Sequence, residues 1–265
     1  MGKNKLNPDR LLAEERRRHI VSIIDQKGRA TVPELVHEFG VSAVTVRADL
    51  DTLAELGALV RSHGGAVKRE GPEVDYPIAF KKTLHQSDKE RIGRAAAQLV
   101  LPHQTLILDS GTTTAEVARH LKLSKIRPIT VITNGLNVAL ELSNAPQISV
   151  LILGGMLRPA SLSLVGPQAQ QMLSQLNADQ LFMGVDGLDQ EIGLSTPDVL
   201  EAQLGALMIK VARSVTVVAD SSKFGRRSLS VIGNLDSVDR LITDKDANPE
   251  TIAAIRSRGV EVLTV

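Results

Sequence analysis

A chain of 265 residues is long enough for one large core or for two domains. Its 43% hydrophobic and 23% charged residues are ordinary for a globular protein, and the absence of cysteine excludes a disulfide framework, a thiol nucleophile and a thiolate metal site. Aromatic residues at 2% are too few for a surface that stacks single-stranded bases. No apolar run approaches the ~20 residues of a membrane helix, and the polar N-terminus lacks an apolar signal core. A cytoplasmic protein with no membrane partner is expected. A net charge of +1 says little by itself. The first 70 residues hold 12 Lys and Arg against 10 Asp and Glu, so any electrostatic argument rests on where the basic residues fall.

Residues 1–12 read as a polar arm in which Pro8 breaks any early helix. An amphipathic helix over 13–27 follows, with Ile20, Val21, Ile23 and Ile24 available for packing. Arg16, Arg17 and Arg18 in its first half fit a solvated face and a DNA-phosphate contact equally well. Thr31 is placed to cap a short helix over 32–39, with Pro33 near its start, where a missing N–H costs nothing. Gly40 makes the tight joint of a helix-turn-helix. Ser42 then caps a second helix, on which Val46, Leu50, Leu53 and Leu56 form one apolar face. Gly57 ends it in the left-handed region. Val44, Ala48 and Asp51 project opposite that face, with Thr45 and Arg47 on the flanks. An N-terminal half that is small, uncharged or basic suits insertion among base edges. Extended runs at 58–61 and 66–68, joined by Ser62-His63-Gly64-Gly65, predict a hairpin wing made basic by Arg61, His63, Lys68 and Arg69.

Residues 71–86 carry prolines and a glycine without a period and read as an extended linker. Ser87 and Glu90 have the spacing of a capping box opening a helix through residue 100. Beyond it, strand candidates at 105–109, 130–133, 149–153, 180–185, 215–219, 240–243 and 260–265 alternate with helical stretches at 113–122, 136–144, 167–176, 198–213 and 248–258. That alternation predicts a parallel sheet covered on both faces. The expected organisation is therefore a DNA-binding domain over 13–70, a linker over 71–86 and an α/β domain over 87–265.

Ligands of open α/β sheets bind at the C-terminal ends of the strands. Here the first such end is Leu108-Asp109-Ser110-Gly111-Thr112-Thr113-Thr114, a glycine turn with hydroxyls leading into a helix. Its N–H groups and hydroxyls suit a phosphate, while a capped βα turn would look the same. It is not a nucleotide P-loop, because the glycine spacing and the lysine are absent. The other strand ends carry Thr133-Asn134-Gly135, Gly154-Gly155, Gly184-Val185-Asp186-Gly187 and Ala219-Asp220-Ser221-Ser222-Lys223, which together point to a polar pocket.

Val41-Ser42, Thr45-Val46-Arg47, Asp49-Leu50, Leu53, Gly57, Leu59, Arg61 and His63-Gly64-Gly65-Ala66 resemble the helix-turn-helix of the DeoR family of bacterial sugar-operon regulators. Ala48 departs from the pattern, since the family often has a second basic residue there. From Ser87 onward the chain resembles the effector domain of the same family, which is similar to ribose-5-phosphate and glucosamine-6-phosphate isomerases. The resemblance implies a winged helix-turn-helix contacting double-stranded operator DNA through Ser42, Val44, Thr45, Arg47, Ala48, Arg61, His63, Gly64 and Lys68. It also implies a phosphorylated-sugar effector bound at Asp109, Ser110, Gly111, Thr112 and Thr113, the last four holding its phosphate, with Asn134, Gly154, Gly155, Asp186 and Lys223 lining the remainder. The runs through Ser110, Asn134 and Asp186 look most like the subgroup regulating N-acetylgalactosamine and other amino-sugar genes.

The rival reading is a sugar-phosphate isomerase with an accessory DNA-binding domain. Asp186 and Asp189 resemble paired catalytic carboxylates, and Glu201 stands where a base is expected. Yet Gly193-Leu194-Ser195-Thr196-Pro197 replaces the lysine segment of the ribose enzyme, and Leu188 stands where the glucosamine enzyme has a histidine. Binding without turnover is the simpler expectation, with no catalytic residue, no cofactor and, with six scattered His, no metal. Paired operator half-sites imply a homo-oligomer, a dimer or a tetramer.

Overall fold

The computed structural model describes residues 12–69 and 75–265, so the N-terminal arm, apart from Leu12, lies outside the described residues. The chain divides into two units, one through Leu84 and one from His85.

In the first unit, helices α1 (Ala13–Lys27), α2 (Val32–Phe39) and α3 (Ala43–Glu55) enclose a core of Ile20, Ile24, Leu35, Val46, Leu50 and Leu53. Local chemistry sets each boundary. Thr31 and Glu34 form a reciprocal capping box at the start of α2. Gly40 stops α2 at φ 64°, and Ser42 Oγ accepts from Thr45 N at 3.1 Å to begin α3. The wing is a hairpin of β2 (Val60–Ser62) and β3 (Gly65–Val67), turning at His63 and Gly64, with Gly64 at φ 79°. Its third strand, β1 (Arg29–Thr31), pairs antiparallel with β3 and was not foreseen from the sequence. That pairing brings Gly65 so close that an added Cβ would sit 2.2 Å from Ala30 O. A helix, α4 (Ile78–Thr83), lies inside the segment read as an extended linker. Pro77 sits at its N-cap, where a proline starts a helix rather than breaking one.

The second unit begins with α5 (Gln86–Ala97), preceded by His85 in the left-handed region with no side-chain cap. The expected Ser87–Glu90 capping box is therefore wrong: Ser87 already lies within the helix, and Asp88 pairs with Arg91 at 2.7 Å. Next come β4 (Thr105–Leu108), α6 (Thr112–Leu123), β5 (Ile129–Thr133), α7 (Leu136–Leu142) and β6 (Ile148–Ile152). A hairpin of β7 (Met156–Arg158) and β8 (Ser163–Val165) leads to α8 (Pro167–Leu173) and β9 (Gln180–Met183). Strands β10 (Gly187–Asp189) and β11 (Gly193–Thr196) precede α9 (Val199–Val211) and β12 (Val215–Val218). The chain ends with β13 (Ser230–Gly233), β14 (Arg240–Thr243), α10 (Pro249–Ser257) and β15 (Glu261–Thr264).

Seven strands form one parallel sheet in the order β15-β14-β12-β9-β4-β5-β6. All seven lie where the sequence predicted strands. Both faces are buried, which explains the near-continuous apolar runs. Leu106, Leu108, Val131 and Phe182 face α5, α6 and α7, while Ile107, Ile132, Leu181 and Val217 face α8, α9 and α10. The chain builds β4, β5 and β6 outward in one direction, then returns to place β9 on the other side of β4. The strand order thus reverses between β4 and β9, and such a reversal opens a crevice at the C-terminal strand ends.

Candidate nucleic-acid interface and ligand site

Helix α3 keeps Val46, Leu50 and Leu53 in the core and leaves Ser42, Val44, Arg47 and Ala48 exposed. Val44 is 73% exposed, a large apolar side chain presented to solvent one helical turn from the exposed Arg47. That pairing suits a groove, where apolar groups meet thymine methyls and arginine meets guanine. Thr45 is half-buried, its hydroxyl 2.8 Å from Ser42 Oγ, so these two help shape the helix start. On the wing, His63, Gly64 and Lys68 are exposed. Arg61 is held instead, donating to Asp51 Oδ1 at 2.8 Å and to Gly65 O at 2.7 Å, so it ties the wing to α3. Asp49 is 2% exposed and accepts from Arg16 Nε at 2.5 Å and Arg17 Nε at 3.0 Å. Of the two readings of the α1 arginines, Arg16 and Arg17 therefore follow neither: they neutralise a buried carboxylate and fix α1 against α3.

In the second unit the loops after β4, β5 and β9 converge at the switch point. Asp109 is the junction. Its Oδ1 accepts from Gly111 N at 2.9 Å and Thr114 Oγ1 at 2.7 Å, and its Oδ2 accepts from Gly184 N at 2.8 Å. Burial pushes this carboxyl up to about 6 against the lowering effect of those bonds, and nearby Glu201 adds to the rise. Added Cβ atoms would meet neighbours at Gly111, 3.1 Å from Thr114 Oγ1, and at Gly135, 2.7 Å from Ser110 Cα. Glycine is what lets these loops touch. Asn137 Nδ2 donates to Ser110 O at 3.1 Å and Gly111 O at 3.2 Å. Helix α6 then starts at Gly111 with no side-chain cap and no acid in its first turn. Its first two residues are Thr112, half-buried, and Thr113, buried. A rigid, uncapped helix N-terminus with flanking hydroxyls favours an anion.

Around it lies a polar wall that the sequence did not assemble. Glu201 on α9 accepts from Ser161 Oγ at 2.5 Å, Ser163 Oγ at 2.7 Å and Thr196 Oγ1 at 3.2 Å. Thr196 Oγ1 also lies 3.3 Å from Asp186 Oδ2. Asn134 is 4% exposed and donates to Leu164 O at 3.4 Å. Gly154 is exposed with open space where a side chain would go, whereas Gly155, at φ 131°, is forced by Val165 O at 2.4 Å from its Cβ position. The end of β12 forms a second cluster. Burial opposes ionisation of Asp220, but Lys223, His85 and Lys89 outweigh it and hold the carboxyl below its usual range. Lys89 is 5% exposed, and no sequence pattern distinguished it from the other charged residues of α5. Asp189 caps the β10–β11 turn, accepting from Glu191 N and Ile192 N, and pairs with Arg227 at 3.0 Å.

Residues 16–70 match the family model of the DeoR-like helix-turn-helix domain, and residues 84–245 match that of the DeoR C terminal sensor domain. The chain belongs to the DeoR family. Its relatives include a candidate aga operon transcriptional repressor of Escherichia coli O157:H7, 40% identical over 95% of this chain and 93% of that one. The glycerol-3-phosphate regulon repressor of Escherichia coli K12 is 34% identical over 87% of this chain and 90% of its own. Among solved structures, ribose 5 phosphate isomerase A from Neisseria gonorrhoeae aligns at 12% identity and a TM-score of 0.40, covering 52% of this chain and 53% of its own. The eIF2B delta subunit of Chaetomium thermophilum aligns at 14% identity and a TM-score of 0.43, covering 85% of this chain and 93% of its own. The DeoR helix-turn-helix match spans α3 and the wing, and the sensor match spans the switch-point loops. This is a DNA-binding transcriptional regulator with a sensor domain. No helix among the described residues is long and apolar enough to cross a membrane.

Proposed function

We propose that this DeoR-family regulator represses a sugar or amino-sugar operon in the cytoplasm as a homo-oligomer, and leaves its operator when a phosphorylated sugar binds the sensor unit. The observation that carries the reading is the switch-point loop, where Asp109 ties the ends of β4 and β9 together and the start of α6 has no side-chain cap. Ser110, Gly111, Thr112 and Thr113 take the phosphate. Asn134, Gly154, Gly155, Asp186 and Lys223 line the sugar, joined by Glu201, Ser163 and Thr196. A relative named as the repressor of a glycerol-3-phosphate regulon supports a small phosphorylated ligand.

The protein binds its ligand without turning it over. Proton shuttling needs a base free to reach substrate and a partner electrophile. Glu201 is held by hydroxyls, and Asp189 is engaged in a turn with Arg227. Release from DNA demands that the ligand prefer the unbound conformation, since equal affinity for both would shift nothing. A thermal-shift screen of sugar phosphates against the full chain, followed by operator binding with each hit, tests the reading. A hit should raise the sensor melting temperature and weaken operator binding. Melting temperatures unmoved by every sugar phosphate, or conversion of a hit to its isomer, would reject it.

A further inference from the structure

The chain leaves the first unit at Leu84 and enters the second at His85. His85 is one of three non-glycine residues with positive φ among the described residues, at φ 50° and ψ 37°. A β-carbon disfavours that left-handed region, so something must hold His85 there. Its carbonyl accepts the first backbone bond of α5, from Lys89 N at 3.0 Å, and its Nδ1 lies 3.4 Å from Asp88 Oδ2. Lys89, one turn on, is 5% exposed. Three residues further along the same helix face, Ile92 packs with Val218 of β12 and Ile242 of β14. Two residues beyond Val218 and Ile242, on the same face of the sheet by strand alternation, come Asp220 and Asp244, each 1% exposed. Two buried carboxylates therefore face the start of α5.

Asp244 is satisfied by Ser221 N at 2.6 Å, Ser221 Oγ at 2.9 Å and Asp246 N at 2.9 Å. Asp220 is not. Its Oδ1 accepts from Ser222 N at 3.2 Å, while its Oδ2 is buried with no hydrogen-bond partner among the described residues. Cations meet its charge instead: Lys223 on its own turn, and His85 and Lys89 at the start of α5. A buried carboxylate holds such cations firmly, because water screens them little. Asp220 also caps the turn Ser221–Lys223, so the carboxylate and Lys223 move together. We propose that Asp220 is a latch: by holding Lys89 and His85 it keeps the junction residue left-handed, and an anion that draws Lys223 carries the carboxylate off and lets His85 go. Once His85 returns to negative φ, the chain enters α5 in another direction. That makes the junction a two-state element that a ligand at Lys223 and DNA on the first unit both bias. The ligand half rests on the sugar-phosphate reading above, in which Lys223 lines the site; the latch itself does not. The latched form is the one that binds operator, since the ligand that opens it is the one that releases DNA.

Two substitutions at one position separate backbone from side chain. His85→Gly and His85→Val both remove the imidazole, but glycine enters the left-handed region freely and a β-branched residue almost never does. In gel-shift titration of the full chain without any sugar phosphate, His85→Val should bind operator about tenfold more weakly than His85→Gly. Asp220→Asn keeps shape and removes charge, and it should lose about tenfold against wild type. Combined with His85→Val it should cost no more than either alone, because both act on one equilibrium. Asp236→Asn, an exposed acid of the same unit, should match wild type. Equal affinities for the two His85 variants, wild-type affinity in Asp220→Asn, a matching loss in Asp236→Asn, or losses that add would overturn the latch. Where His85→Val does not fold, the two aspartate variants decide alone. The variants can behave as expected while glycerol 3-phosphate, ribose 5-phosphate and glucosamine 6-phosphate all leave the wild type on its operator. In that case the latch stands and the sugar-phosphate reading falls. If one of these releases wild type and Asp220→Asn by the same factor, the ligand acts by another route and the latch falls.

Discussion

Arg47 is exposed on α3 with no ion pair among the described residues, whereas Arg16, Arg17 and Arg61 are each held by an aspartate. That difference separates an arginine for sequence reading from arginines for structure. Arg47→Ala should cost about 1–3 kcal/mol of operator affinity and relax specificity at one base position. Equal losses on all DNA sequences, measured by competition gel shift, would make it a phosphate contact instead. Asp109 supports a second expectation at this scale. Its folded-state carboxyl is raised to about 6 by burial, above the ordinary value of 3.8. A raised carboxyl contributes stability that is full below its unfolded pKa and is lost as pH rises through the folded one. The stability gap between wild type and Asp109→Asn should therefore be widest near about pH 4 and narrow as pH passes about 6. Urea unfolding of the sensor unit across that range measures it, and a gap independent of pH would mean that Asp109 titrates normally. The sequence named Asp109 as part of the phosphate loop. What it could not supply is Gly184 N, 75 positions away, which turns a loop residue into a lock between strands.

The elements of the wing depend on one close approach. Gly65 lies against Ala30 and Thr31 on β1, and a methyl there would overlap backbone atoms at 2.2 and 2.9 Å. Backbone cannot rotate out of the way as a side chain can, so Gly65→Ala must separate β3 from β1 or shift both. Overpacking of this kind costs about 1–3 kcal/mol or more. Operator binding should fall and the first unit should melt earlier, while the sensor transition stays in place. A wild-type calorimetric trace for both units would show that β1 is dispensable. The same strand marks where sequence reading ran out. Helices α2 and α3 were legible because Thr31, Gly40, Ser42 and Gly57 punctuate them, and the seven parallel strands because burial on both faces makes them apolar throughout. Strands β1, β7, β8, β10 and β11 have three or four residues each, too few for any period, and they exist through tertiary pairing. Helix α4 is hidden because it is short and follows Pro72 and Pro77, which give the segment a linker composition. The Glu201 wall was hidden for a related reason: Ser161 and Ser163 belong to an unrecognised hairpin, so the sequence offered Glu201 no partners.

At the scale of the whole molecule, a regulator must keep one unit working while the other is disabled, and the division at Leu84 and His85 makes that testable. Thr112 and Thr113 are the first residues of α6, behind the Gly111 turn, and neither is the threonine that holds the loop together; that is Thr114, bonded to Asp109 at 2.7 Å. Replacing Thr112 and Thr113 by Val keeps shape and removes only hydroxyls, so the Asp109 lock and the helix remain. A bound phosphate would lose two charge-assisted hydrogen bonds of about 1.5–3 kcal/mol each. Sugar-phosphate affinity should therefore fall ~100-fold or more. The first unit, with its own core around Val46 and Leu50, should keep its affinity for operator. The double variant is then expected to stay on DNA at sugar-phosphate concentrations that release the wild type. Gel-shift titration with and without ligand measures this directly. If the variant lets go of operator at the wild-type ligand concentration, the two hydroxyls do not touch phosphate and the loop is a capped turn. If it loses operator binding without ligand, the two units are coupled through α6 more tightly than their separate cores imply.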